Sequence, residues 1–200
     1  MNKSRFSEIN SPMVSFIHSP HDDYPGNLCE MLLRNVAHIL VTNQLIKRAI
    51  MDLRPKCESS AELIKALNAI VALNDRGQIQ LRLSLSEAGA VLPTLSERTA
   101  SPVISWFWAT IPDRVTPGVM AADVIANLRL LVQHLELKTK LAAEETALVG
   151  QVGLGLALLD WSAEWRELGH DLRSVNVRLR AQAYIADVPE VMSPPAVEVA

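Results

Sequence analysis

Aromatic residues make up only 4% of this 200-residue chain, so a core of stacked rings is excluded. Leu, Val, Ile and Ala must fill the interior, a composition that suits packed helices. Cysteine is equally sparse. Cys29 and Cys57 are the only two, and neither belongs to a C-x-x-C pair or stands beside clustered histidines. That favours reduced thiols in a cytoplasmic protein over a disulfide framework or a zinc site. Lys3 and Arg5 are followed by no continuous apolar run, which excludes a secretory signal. The most apolar stretch, ALVGQVGLGLALLDW, is too short and glycine-rich for a membrane span. Excess positive charge is missing too: the formal net charge is −3 and the pI about 6.0. A chain coated in basic residues is ruled out, whereas a local basic face is not.

What remains is ample apolar material. The hydrophobic fraction is 49% and the mean hydropathy +0.15, values of a folded globular chain. Pro12, Pro20 and Pro25 break any period before Asn27, so residues 1–26 read as an irregular segment. Residues 27–187 read as a single, mostly helical domain, and 188–200 as a Pro-rich tail. From Leu28, Met31, Leu32, Val36, Ile39, Leu40, Ile46 and Ile50 recur at helical spacing up to Pro55. Ser59 with Glu62 has the form of a capping box, opening a helix that ends near Asn74 to Gly77 and pairs with the first as an antiparallel hairpin. Pro117 opens another, carrying Val124, Ile125, Leu128, Leu131, Val132 and Leu135, with a break near Lys138 to Lys140. Trp161 and Trp165 lie four apart and share a face directed at a core or an interface. A last helix covers HDLRSVNVRLRAQAYIA.

One stretch departs from this pattern. In GQIQLRLSLSEAG, Ile79, Leu81, Leu83 and Leu85 alternate with Gln78, Gln80, Arg82 and Ser84, the period of an extended strand. The apolar, β-branched run Val103 to Thr110 predicts a second strand. The fold class is therefore mainly α with a small β element, one or two short strands and a ribbon-helix-helix-like order. A lone strand needs a mate, either that second strand or its own copy across a two-fold axis, which implies a homodimer with Leu81 and Leu83 in the shared core.

Chemistry-bearing motifs are few. GQVGLG from Gly150 lacks the preceding strand of a dinucleotide fingerprint, and small residues permitting close helix contact account for it. His18, His21, Asp22 and Asp23 cluster in HSPHDD without a second ligand set, so no metal or other cofactor is expected. No catalytic constellation is present, and the chain reads as non-enzymatic. Two groups suit nucleic acid. Gln78, Gln80, Arg82 and Ser84 form the polar face of the strand, and Gln and Arg are the side chains that pair bidentately with adenine and guanine. On the last helix Arg173, Asn176 and Arg180 share a face, with Arg178 beside them to anchor phosphate. Each group is equally readable as a solvated surface.

DLRSVNVRLRAQAYIADVPEVM, from Asp171 to Met192, resembles the C-terminal region of the AcaB-like transcriptional regulators of integrating conjugative elements and plasmids. There an acidic residue precedes spaced arginines around an asparagine, then a proline. ADVIANLRLL through LVGQVGLGLALLDW is similar to that family's helix pair, and HDDYPGNLCEMLL to the turn that opens one of its helices. The resemblance implies a DNA-binding regulator of the transfer genes of a mobile genetic element, with a ribbon-helix-helix type fold and DNA as partner. Members of that family begin with an additional strand-like segment, and this chain starts after it; if that segment supplies the DNA-reading ribbon, DNA binding is lost here, and Gln78 to Leu85 is the one strand that remains as a candidate. A reading of another class is an accessory or structural protein that binds another protein and never touches DNA.

Overall fold

A computed structural model of the protein describes residues 28–95, 101–111, 115 and 118–187; the expected irregular segment and the Pro-rich tail lie outside them. Five α-helices follow in order: α1 (Leu28–Leu53), α2 (Ala61–Glu87), α3 (Ser101–Ala109), α4 (Val119–Leu148) and α5 (Val152–Asp187). A 3-10 turn (Arg54–Cys57) with Pro55 at its start ends α1. No strand occurs among the described residues, so the small β element and the ribbon-helix-helix order are both overturned.

The alternating stretch is the second half of α2. Residues two apart on a helix lie about 200° apart, so a period of two also splits side chains onto opposite faces over a few positions. Gly77, Leu81 and Leu85 point inward, while Ile79 and Leu83 are 61% and 58% exposed. The expected helix end at Gly77 is likewise corrected. α2 runs through it because the Trp161 indole lies where a β-carbon would be, 2.0 Å from its Cε2 and Nε1. The stop comes at Gly89, whose positive φ of 63° lets Ala90 N–H donate back to Leu85 C=O. The cap is Ser60 rather than Ser59. Its hydroxyl accepts from the Leu63 N–H, while Ser59 Oγ donates to Val115 C=O. The second expected strand is α3, whose Phe107 is fully buried.

α1 and α2 form the expected antiparallel hairpin, tied by Asn74 Nδ2 donating to Asn43 C=O and by Lys47 to Asp75 at 2.7 Å. α4 and α5 form a longer one. α4 passes unbroken through Lys138 to Lys140, and the turn is at Gly150, φ 74°, where Gln151 N–H donates to Thr146 C=O. Asn35 against Glu145 sets α1 antiparallel to α4, and Gly77 under Trp161 sets α2 beside α5. Neighbouring helices are thus antiparallel around the bundle. The chain must cross its whole length between α2 and α4, carrying α3 against α1 on the way. Trp161 and Trp165 lie in the shared core as expected, 2% and 0% exposed with ring centroids 6.1 Å apart. No described helix is long and apolar enough to cross a membrane.

Candidate functional site

The residues expected to read DNA are neither gathered nor free. On α2, Gln78 is half-buried and its Nε2 donates to Asn74 Oδ1, itself part of the buried link to α1. Gln80 and Arg82 are exposed and Ser84 is half-buried, all on helical backbone. These four no longer form one face, because the strand that would have aligned them does not exist. On α5, Asn176 Nδ2 donates to Ala122 C=O and Arg180 pairs with Asp123 at 2.8 Å, so both side chains fasten the start of α4. Arg173 and Arg178 are exposed, with no ion pair among the described residues. Five positions apart, they point about 140° away from each other around the helix. The two sets are also far apart. With Gly77 at the level of Trp161 and Arg76 reaching Glu164, Arg82 and Arg173 are separated by on the order of 25 Å along the bundle.

Small residues close the helix contacts. A β-carbon on Gly155 would meet Thr146 Oγ1 at 2.3 Å, so the GQVGLG run serves the packing of α5 on α4. Two ionisable groups are displaced from their ordinary range. Burial pushes the Cys57 thiol up to about 11, with Lys56 pulling the other way, which makes it a poor nucleophile at neutral pH. His134 is lowered to about 4 by burial, then by the neighbouring charges of Lys138 and His38. Both are core effects. The cluster His18, His21, Asp22 and Asp23 lies outside the described residues.

The surface that stands out is the outer face of α4. Its inner face is buried from Ala121 to Thr146. Opposite it, Val119, Leu130, Leu137, Leu141 and Leu148 are all exposed, from 37% at Leu130 to 72% at Leu148, with half-buried Ala126 among them. The steps between these six are seven, four, seven, four and seven residues, an eleven-residue repeat that keeps them in one straight row. The row runs the length of the helix, about 45 Å. Past the turn, Val152, Leu156 and Leu159 continue exposed apolar surface onto α5. Sequence reasoning assigned α4 only its inner face, although the second period is present in the same thirty residues. Comparison with family models finds none that matches, and comparisons with curated proteins and with solved structures return no match.

Proposed function

We propose that this is a non-enzymatic accessory protein whose work is to dock another polypeptide on the outer face of α4. The carrying observation is the two-faced helix. An amphipathic surface helix keeps its solvent side polar, whereas a helix apolar on both sides has the pattern of one buried on both sides. The bundle covers only the inner side. Five exposed apolar side chains and half-buried Ala126 recur along that side, with exposed Asp123, Gln133 and Glu144 between them, and exposed apolar surface of this extent is what marks interaction sites. A photo-crosslinking amino acid at position 137, in the cells that make the protein, should give an adduct of one discrete mass. The same probe at exposed Lys65 on α2 should not. No polypeptide adduct at 137, or equal adducts at both sites, would overturn the reading.

A second reading, the DNA-binding regulator of conjugative transfer genes implied by the resemblance, is favoured by one observation. Arg173 and Arg178 are exposed and unpaired among the described residues, as phosphate contacts require. It proceeds without the strand, and with Asn176 and Arg180 occupied by α4.

A further inference from the structure

We propose that the polypeptide docked on α4 is a second copy of this chain, its α4 lying antiparallel on the first; this rests on the docking reading above. Three features carry the choice of occupant. The first is register. The steps seven, four, seven, four, seven read the same in both directions, with their midpoint between Gln133 and His134. Turning a second α4 end for end about that point sets Val119 against Leu148, Ala126 against Leu141 and Leu130 against Leu137. Every apolar side chain in the row then meets another, as an isologous two-fold interface demands.

The second is charge. Asp123 lies beside the row near its start, held by Arg180 at 2.8 Å, and Glu144 near its end, 4.0 Å from Lys140. In the inverted register Asp123 of one copy lies level with Glu144 of the other, and each acid is already compensated in its own chain, by Arg180 and Lys140. A parallel arrangement also sets acid level with acid, so the side chains do not choose between the two, but it aligns the helix dipoles unfavourably, which the antiparallel one avoids. The third is area. The five exposed side chains offer on the order of 500 Å² of apolar surface per copy, so two copies would bury up to about 1,000 Å² from the row alone, the lower limit for a biological interface, and the flanks would add to it.

Static light scattering of the purified full chain at tens of micromolar should give twice 22.0 kDa. The Leu137→Glu/Leu148→Glu double variant alters side chains that are 51% and 72% exposed, so it should keep its circular-dichroism melt and fall to the single-chain mass. Disulfide trapping reads the orientation independently, in a background where exposed Cys29 is Ser. Gln133→Cys alone should cross-link. Val119→Cys alone should not, but mixed with Leu148→Cys it should. A single-chain mass at 100 µM, or self-cross-linking by Val119→Cys, overturns the antiparallel pairing. A single-chain mass together with a discrete adduct of a different chain at position 137 rejects self-pairing and keeps the docking reading. No adduct of any kind at that position removes both.

Discussion

Replacing Gly77 by alanine should destabilise this protein, although the same change in an exposed helix interior is worth up to about 1 kcal/mol of extra stability. The reversal comes from one contact. A β-carbon at position 77 would be 2.0 Å from Trp161 Cε2 and Nε1 and 2.4 Å from Cδ1. The indole is 2% exposed and backed by Trp165, so the added carbon must displace a packed ring. Forcing an extra carbon into a packed core typically costs about 1–3 kcal/mol, and the helix-propensity gain offsets only part of it. A net loss of about 1–2 kcal/mol in a chain of 150–250 residues lowers Tm by roughly 2–8 °C. Thermal denaturation followed by circular dichroism measures it. Gly153→Ala is the control, because a β-carbon there meets nothing within 4 Å, and its Tm should stay or rise. Trp161→Leu should cost less in the Gly77→Ala background than in the native one, since the two changes share a contact. A Tm for Gly77→Ala that rises like that of Gly153→Ala refutes the packing argument.

His134 should make stability fall in acid. Its folded value of about 4 lies below the ordinary 6.5, so the fold holds the neutral ring. That contribution is fully present above about pH 6.5 and is lost as pH drops toward 4, because the unfolded chain takes up the proton first. Urea midpoints between pH 7 and 4 should show this slope in the native protein and a shallower one in His134→Gln; equal slopes would refute the assignment. If α5 binds nucleic acid, Arg173→Ala and Arg178→Ala should each flatten the salt dependence of DNA retention by about one unit, whatever the DNA sequence. A native protein that does not shift its own upstream DNA at low salt removes that reading.

The helical content of α1, α4 and α5 and most of the core were legible in the sequence, because three- and four-residue spacings persist over many turns. Leu128, Leu131, Val132 and Leu135 are buried as their spacing implies, and so is the tryptophan pair. Two errors in α2 have one cause. A glycine in a helical run reads as a stop, and once the helix is ended at Gly77 the residues after it are too few to reveal a period of 3.6. Their alternation then wins by default. Local sequence carries no sign that an indole eighty-four positions later needs that glycine. The roles of Asn176 and Arg180 were hidden for the same reason. Their partners, Ala122 and Asp123, lie more than fifty residues away, and only the α4–α5 hairpin brings them together.

α4 shows how two periods can share one helix. Leu128, Leu131, Val132 and Leu135 follow the three-and-four spacing of a face turned to a bundle, and once they are read as the core the remaining leucines look incidental. Leu130, Leu137, Leu141 and Leu148 are not incidental, since chance placement would scatter them among the polar positions instead of repeating at eleven. A straight row requires about three full turns per repeat, and a row of that form can lie along another straight surface over its whole length. Among the described residues nothing covers that side of α4, and the spacing, which reads the same in both directions, is why a second copy is the occupant proposed above.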